Sequence, residues 1–166
     1  GSGQSGPQPR SYGPDYYEED ARAFLALLQA LGTEPAHLVG FSDGGEVALL
    51  MAALAPEAVR SVLTWGAAGA LNDTKGEVRA AFRGVIDDPL PSMGDYRTYL
   101  VESYGEETAR KTVQSFVGAW DAVVEAGGDI LGAKANWIDC PVCLIVGQMD
   151  FFVTKNDIDA LARRIK

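Results

Sequence analysis

The sequence predicts an α/β fold with a mostly parallel sheet and flanking helices, and two observations carry this prediction. First, an apolar stretch at 38–41 is followed by a helix-forming stretch at 44–55 and a second apolar stretch at 59–65. A strand, a helix and a strand in this order form a right-handed unit with parallel strands. Second, residues 141–147 form a continuous apolar stretch, which is typical of a strand buried in a parallel sheet.

The remaining elements follow from the spacing of apolar residues. A first helix is predicted from Tyr16 to Leu31, with acidic residues in its first turn and Gly32 at its end. A last short helix is predicted at 157–165. Residues 1–14, rich in Gly, Ser, Gln and Pro, are predicted to form a loop, with a cloning linker at 1–6 as the alternative. The side chains of the first helix expected in the core are Tyr17, Ala21, Phe24, Leu28 and Leu31.

A long helical region interrupts the predicted sheet. Residues 72–136 are helical by pattern at 78–85, 96–104 and 106–124, and they lie between two strands of one sheet. They are therefore expected to form a helical cap. The chain then divides into a first core part at 1–71, the cap at 72–136 and a second core part at 137–166.

Composition and charge narrow the classes of partner. The chain has 166 residues, of which 47% are hydrophobic, and it carries a net charge of −9 with a pI near 4.5. This composition is ample for one domain, and the acidic balance disfavours nucleic acid and anionic membranes as partners. No apolar run approaches the ~20 residues that span a bilayer, and no signal segment opens the chain, so a cytoplasmic protein is expected.

Both cysteines lie in one motif, Cys-Pro-Val-Cys at 140–143, which leads into the apolar stretch at 144–147. A redox motif of this spacing needs its first cysteine at a helix N-terminus. A zinc site needs four ligands, and the only histidine of the chain is His37. Cys140 and Cys143 are therefore predicted to be structural, and no metal or cofactor is expected.

The turn between the first strand and the following helix carries the motif with the clearest chemistry. Residues 40–44 read Gly-Phe-Ser-Asp-Gly, which fills the G-x-S-x-G pattern of a strand-to-helix turn. Such a turn strains the backbone of its serine and projects the hydroxyl of Ser42 clear of the sheet, where a base can reach it. The residues two before and two after Ser42 are expected to crowd each other, so Gly40 and Gly44 must both be small.

The same turn begins a helix, whose first N–H groups and positive dipole end favour a developing oxyanion. The backbone N–H of Asp43 is therefore an expected oxyanion donor. A phosphate-binding loop is a competing interpretation, but the G-x-x-x-x-G-K-[ST] pattern is absent and no lysine is nearby. A glycine-rich turn without catalytic function stays open as the alternative to the nucleophile.

A second candidate residue, Asp150, follows the apolar stretch at 141–147. Chemistry in a parallel α/β sheet gathers beyond the carboxyl ends of the strands, where Ser42 and Asp150 are both predicted. Serine before aspartate is the chain order of hydrolases with this turn, and their aspartate orients a histidine base. A turn residue or helix cap is the other interpretation of Asp150. His37 cannot be the base, because it begins the strand that leads to Ser42 and lies ~15 Å from that residue.

Taken together, these residues make the chain resemble the α/β-hydrolase-fold serine hydrolases. It is most similar to the biphenyl-hydrolase-like, or valacyclovir-hydrolase-like, esterases, through residues 40–45, the strand end Thr-Trp-Gly-Ala at 64–67, and the stretch 140–150. The resemblance implies a partial α/β-hydrolase fold in which Ser42 is the nucleophile and Asp150 the triad acid.

The same resemblance implies substrate contacts at Asp43 and Trp65. A carboxylate beside the acyl site favours a cationic substrate, such as an amino-acid ester, whose ammonium group would pair with Asp43. The alternative is that the Asp43 carboxylate is solvated or stabilises the start of its helix.

The family also has parts that this chain lacks. It places strands before the point at which this chain begins, and its catalytic histidine after the point at which the chain ends. The chain is therefore expected to be the middle of a hydrolase of roughly 250–300 residues. Alone, it is expected to be inactive or nearly so, since loss of the histidine costs roughly 10⁴–10⁶ in rate.

Two functions are carried forward. The intact protein is expected to hydrolyse ester, amide or lactone bonds of small molecules through a Ser-His-Asp triad. The alternative is a non-catalytic hydrolase-like protein that binds a ligand or a partner. The oligomeric state is not predicted, although an incomplete sheet is expected to expose apolar edges and to promote self-association.

Overall fold

The computed structural model describes residue 6 and residues 9–72, 76–150 and 152–165. It forms two compact units, each drawn from two segments of the chain. The sheet unit comprises 16–72 and 127–166, and the helical unit comprises 1–15 and 73–126. Of the predicted loop at 1–14, residues 6 and 9–14 are described and form no helix or strand, whereas the alternative linker at 1–6 lies almost wholly outside the described residues. None of the described helices is long and apolar enough to span a membrane.

The order of helices and strands along the chain agrees with the prediction. The helix predicted at 157–165 is observed at Lys155–Ala162. It begins earlier than predicted because Thr154 caps its start and accepts a hydrogen bond from the Asp157 N–H. The strands are β1 (Ala36–Phe41), β2 (Val59–Trp65) and β3 (Val142–Ile145). The helices are α1 (Tyr16–Leu31), α2 (Asp43–Leu54), α3 (Glu77–Gly84), α4 (Gly94–Tyr104), α5 (Glu106–Glu125) and α6 (Lys155–Ala162).

A three-stranded sheet organises the sheet unit, with β2 between β1 and β3 and with both pairs parallel. Phe41 lies opposite Trp65, and Trp65 lies opposite Ile145, so the three strands end in register at one edge. This confirms the predicted α/β fold. We call this edge the carboxyl edge of the sheet, because the residues that follow all three strands meet there.

Helix α2 forms the centre of the core of the sheet unit. Every residue from Gly45 to Ala53 is buried, which agrees with a helix that is apolar on nearly all sides. It packs against β1, β2 and α1. The side chains of Val62 and Thr64 point from β2 toward this covered face of the sheet and are fully or almost fully buried.

The opposite face of the sheet is exposed, which corrects the expectation that the strand at 141–147 is buried. Strand β3 is not buried on both sides, since Cys143 and Ile145 are exposed alternately along it. On β1, Val39 is 69% exposed and Phe41 is exposed with it. The described helices cover one face only, so a continuous apolar strand does not by itself guarantee burial on both. These four side chains form what we call the open face.

Helix α1 is also less buried than its apolar pattern predicts. Tyr17 and Ala21 lie in the core, but Phe24 and Leu31 are 52% and 63% exposed. The buried residues of α1 all lie in its amino-terminal half, and in its carboxyl-terminal half Leu28 is only partly buried. The prediction of a fully buried stripe was therefore wrong for Phe24 and Leu31.

The helical unit has a core of its own, in which α5 packs against α3 and α4. The predicted helices at 78–85, 96–104 and 106–124 are confirmed to within two residues at each end. Two ion pairs to Asp121, from Arg79 and Arg83, link α3 to α5. The buried core residues are Val85, Ile86, Leu100, Ala109, Val113 and Val117.

Candidate active site

The backbone of Ser42 is strained, as the motif at 40–44 predicts. Its φ is 51° and its ψ is −126°, and it is the single non-glycine residue with a positive φ among the described residues. A backbone in so sparsely populated a region costs of order 1–3 kcal/mol, so the surrounding structure must hold it in place. Ser42 precedes α2 without capping it through its side chain, and the residue is exposed.

Hydrogen bonds on both sides of Ser42 show what holds this turn. The Ser42 N–H donates to the carbonyl of Trp65 at 3.0 Å, which extends the pairing of β1 with β2. Its own carbonyl accepts from the N–H groups of Gly45 at 2.8 Å and Glu46 at 3.2 Å, which begins α2. The chain therefore changes from strand to helix at one residue.

Crowding at the turn confirms the requirement for glycine at one predicted position and corrects the other. A Cβ on Gly40 would clash with the backbone of Gly44 and would lie 2.7 Å from the Gly45 Cα. A Cβ on Gly44, in contrast, would meet nothing within 4 Å. The second crowded position is Gly45, where a Cβ would clash with the hydroxyl of Thr64. The close approach of α2 to β2 therefore requires Gly45 rather than Gly44.

Asp43 is the first residue of α2, so its backbone N–H lies at the positive end of the helix dipole. Its carboxylate accepts hydrogen bonds from the hydroxyls of Tyr17 at 2.8 Å and Tyr16 at 3.4 Å. Both tyrosines belong to the first turn of α1, their side chains are buried, and their rings are stacked on each other. Burial, together with the negative charge of Asp43, raises the pKa of Tyr17 far above its usual range, so its hydroxyl stays a donor.

Asp150 lies in the turn after β3, where its carboxylate organises the backbone that follows. Oδ1 accepts hydrogen bonds from the N–H groups of Phe152 at 2.9 Å and Val153 at 3.0 Å. Oδ2 lies 3.6 Å from the position that a Cβ on Gly66 would occupy. Gly66 follows β2 directly, so the carboxylate of Asp150 lies beside the carboxyl end of the central strand.

The carboxyl edge of the sheet therefore carries most of the sequence-predicted site residues. The Cβ position of Gly66 is 3.5 Å from the ring of Phe41, the neighbour of Ser42, as well as 3.6 Å from Asp150. Trp65, predicted to contact substrate, is partly exposed and stacks on Phe41 with ring centroids 5.3 Å apart. No hydrogen bond joins Ser42 to Asp150, both of which are described.

His37 lies at the opposite end of β1 from Ser42. Its Nδ1 is 2.7 Å from the hydroxyl of Ser61, its neighbour on β2, and the pair is exposed. Since His37 is the only histidine of the 166 residues, this chain places no imidazole at the carboxyl edge.

One residue at the site was missed by the sequence reasoning. Glu46, in the first turn of α2, is only 5% exposed, and its carboxylate accepts hydrogen bonds from the N–H groups of Ala68 and Gly69 at 2.9–3.1 Å. Burial raises its pKa to about 8 in spite of these bonds. A single acidic residue inside the apolar run 45–53 was the available signal, because such a residue is rarely buried without partners.

The cysteine motif contributes nothing to this edge. Both cysteines are free thiols. Cys140 lies before β3, and Cys143 lies within β3 and is exposed on the open face. Burial raises the pKa of Cys140, which makes its thiol less reactive. Among the described residues, no group of three or more His, Cys, Asp or Glu side chains could hold a metal ion.

Comparisons with known proteins agree with the resemblance seen in the sequence. A family model described as alpha/beta hydrolase fold matches residues 1–92. The mouse protein named serine hydrolase BPHL is 28% identical over 167 residues, covering 100% of this chain and 56% of that protein. The chain therefore spans about half the length of the curated relatives it matches.

Solved structures show the same fold. The 2-hydroxy-6-oxo-6-phenylhexa-2,4-dienoate hydrolase of Rhodococcus is similar with a TM-score of 0.72 and 20% identity, covering 99% of this chain and 65% of that one. A thermophilic esterase from Thermogutta terrifontis is similar with a TM-score of 0.60 and 20% identity, covering 98% and 64%. At these identities the likeness concerns the fold alone.

Proposed function

The chain belongs to the alpha/beta hydrolase fold family, and from this membership we propose that it supplies the nucleophile and the acid of a serine hydrolase that cleaves ester bonds of small molecules. Amide or lactone bonds are cleaved by the same chemistry. The observation that carries the proposal is the strained backbone of Ser42, an exposed serine between a strand and a helix. Strain of this kind persists where it serves a function.

In the proposed reaction the hydroxyl of Ser42 attacks the substrate carbonyl and loses its proton to a histidine base. The oxyanion that forms accepts a hydrogen bond from the backbone N–H of Asp43, at the positive end of α2. The base then protonates the leaving group, and water releases the acyl group from Ser42 by the same steps. Asp150 holds the histidine in the right tautomer and stabilises the imidazolium.

The base itself is not His37, because this residue lies at the far end of β1 and contacts Ser61. We propose that the whole protein supplies the histidine from sequence other than these 166 residues. The isolated chain is then inactive or nearly so, since triads without their base lose roughly 10⁴–10⁶ in rate.

Two further residues are proposed to act on the substrate. Trp65, stacked on Phe41 at the carboxyl edge, would offer an aromatic wall to an apolar acyl or alcohol group. The carboxylate of Asp43, which follows Ser42 directly, would favour a cationic substrate by its negative charge. The alternative for Asp43 is a structural role as the tie between α1 and α2.

Labelling of Ser42 by a fluorophosphonate tests the proposal on this chain, with imidazole added in place of the histidine. Peptide mass spectrometry locates the label, and the Ser42→Ala variant provides the control for site. Ser61 is a matched internal control, because it is a serine in contact with histidine but with ordinary backbone geometry. We expect imidazole-dependent labelling at Ser42 and none at Ser61.

The second candidate function is a non-catalytic protein that binds a ligand at the carboxyl edge. The observation that favours it is the position of His37 away from this edge. Labelling of Ser42 no faster than that of Ser61 at every imidazole concentration would contradict the hydrolase and support the binding protein.

A further inference from the structure

We infer that Glu46 is a positioning residue for Asp150: its buried carboxylate holds the segment 66–70, against which the turn that carries Asp150 is packed. The inference rests on the proposed function, because it concerns the proposed triad acid. Glu46 does not touch the reacting atoms in this proposal. It acts through the backbone of Ala68 and Gly69.

The carboxylate of Glu46 is bound to this segment by three hydrogen-bond contacts. Its Oε1 accepts from the Ala68 N–H at 2.9 Å and the Gly69 N–H at 3.1 Å, and its Oε2 accepts from the Gly69 N–H at 2.9 Å. The segment follows β2, and its carbonyl side is held separately, because the Gly69 carbonyl accepts from the N–H groups of Ile130 and Leu131. The Glu46 side chain is therefore the acceptor that holds the N–H groups of Ala68 and Gly69.

The ordered segment then reaches both oxygens of Asp150. The side chain of Ala68 packs in one cluster with Val153 and Ile158, and the Val153 N–H donates to Oδ1 of Asp150. Gly66, at the start of the segment, lies beside Oδ2. Displacement of the segment would therefore move the turn after β3 and change the direction in which the carboxylate points.

Glu46 also contacts the strained turn at Ser42 through its own backbone. The same first turn of α2 binds the carbonyl of Ser42 through the Glu46 N–H at 3.2 Å. One residue thus contacts the strained turn with its backbone and the segment beside Asp150 with its side chain. This arrangement fixes the proposed nucleophile and the proposed acid relative to each other.

The charges around Glu46 are negative. Asp43 on α2 and Asp129, in the segment before β3, both face it and raise its pKa, in addition to burial. Asp129 is itself paired with Arg164, and no Lys or Arg among the described residues forms an ion pair with Glu46. The hydrogen bonds from Ala68 and Gly69 are consequently the interactions that hold its carboxylate.

Amide hydrogen exchange and carboxyl NMR on the full chain test the inference. In Glu46→Ala, the amides of Ala68 and Gly69 lose their side-chain acceptor and should exchange about tenfold to a hundredfold faster. The inference requires two further changes that a merely local role would not produce. The Val153 amide exchanges faster, and the chemical shift of the Asp150 carboxyl carbon changes.

Glu57→Gln is the matched control, since Glu57 is an exposed acid just after α2. Glu46→Gln keeps one acceptor oxygen and should show smaller effects than Glu46→Ala. Faster exchange at Ala68 and Gly69 with unchanged Val153 exchange and an unchanged Asp150 carboxyl chemical shift would overturn the inference. Equal acceleration of the Leu63 amide in β2 would also overturn it, because that indicates loss of global stability.

A failure of this inference is distinguishable from a failure of the proposed function. Imidazole-dependent labelling of Ser42 that Glu46→Gln leaves unchanged would contradict the positioning role alone. A changed Asp150 carboxyl chemical shift in Glu46→Gln, together with a Ser42 that is never labelled, would contradict the hydrolase alone. If both variants of Glu46 fail to fold, the same amides and the same carboxyl are followed in the unaltered chain through pH 8. A change in both at that pH supports the inference, and a constant Asp150 signal overturns it.

Discussion

The hydroxyl of Tyr17 donates a hydrogen bond of 2.8 Å to the carboxylate of Asp43, the residue that follows Ser42. The bond joins a residue at the start of α1 to the first turn of α2, and Tyr17 is almost fully buried. It therefore ties the first helix of the chain to the strained turn. The tie gives Asp43 a structural role whether or not its carboxylate also meets a substrate.

Tyr17→Phe removes this bond while keeping the ring. A hydrogen bond to a charged group contributes about 1.5–3 kcal/mol, and we expect a loss of unfolding free energy near the lower end, because Asp43 is only partly buried. Urea denaturation measures the loss. Tyr16→Phe is the control, since the hydroxyl of Tyr16 is 3.4 Å from Asp43 and should contribute less. An equal loss in both variants would contradict the assignment of the stronger bond to Tyr17.

Alanine at Gly40 and at Gly44 should have effects of opposite sign. A Cβ on Gly40 overlaps the backbone of Gly44, so Gly40→Ala should destabilise the chain by at least about 1–3 kcal/mol. A Cβ on Gly44 meets open space inside a helix, so Gly44→Ala should stabilise it by about 0.4–1 kcal/mol. Thermal unfolding of the two variants beside the unaltered chain checks the signs. Destabilisation by Gly44→Ala would show that the turn is tighter than described.

Stability should depend on pH through Glu46. Its pKa rises from 4.5 in the unfolded chain to about 8 in the folded one, so the folded state binds the proton more tightly. The stability contributed by that proton is complete below pH 4.5 and is lost as the pH rises through about 8. The free energy of unfolding of the unaltered chain, relative to Glu46→Gln, should fall by about 1.4 kcal/mol per pH unit in this interval. Urea titrations at several pH values measure the difference, and a flat difference would contradict the raised pKa.

The open face should bind an apolar dye. Val39 and Phe41 on β1 are exposed, as is Ile145 on β3, and the exposed Trp65 of β2 lies between Phe41 and Ile145. Contiguous apolar surface of this kind is prone to association. We expect the isolated chain to enhance ANS fluorescence, and Val39→Lys to reduce the signal at unchanged secondary structure. Glu57→Gln, which changes the net charge by the same single positive unit at an exposed site before β2, is the control. An equal reduction by both variants would indicate a charge effect rather than loss of the apolar surface.

The elements that could be predicted from the sequence are those with a strong local signal. The strand at 38–41, the strain at Ser42 and the parallel pairing of β1 with β2 follow from residues close together in the chain. In each case periodicity or glycine spacing leaves few alternatives for the backbone. The same locality explains why the three helices of the helical unit were predicted to within two residues.

The wrong predictions concern contacts between distant segments. Gly44 was expected to be crowded, but the crowded residue is Gly45, because the Thr64 side chain on β2 meets it. Phe24 and Leu31 have the spacing of core residues and lie exposed, since burial depends on what other segments cover them. Glu46 was passed over because its partners, Ala68 and Gly69, lie more than twenty residues away.

By itself, then, the sequence determined that a serine stands in a strained bend between a strand and a helix, with an aspartate after a later strand. Only the tertiary structure decided which side chains support that bend: Tyr17 on Asp43, and Glu46 on the segment beside Asp150. The physical reason is that backbone strain arises from neighbouring residues, whereas burial and hydrogen-bond partners arise from segments that meet only when the chain is folded.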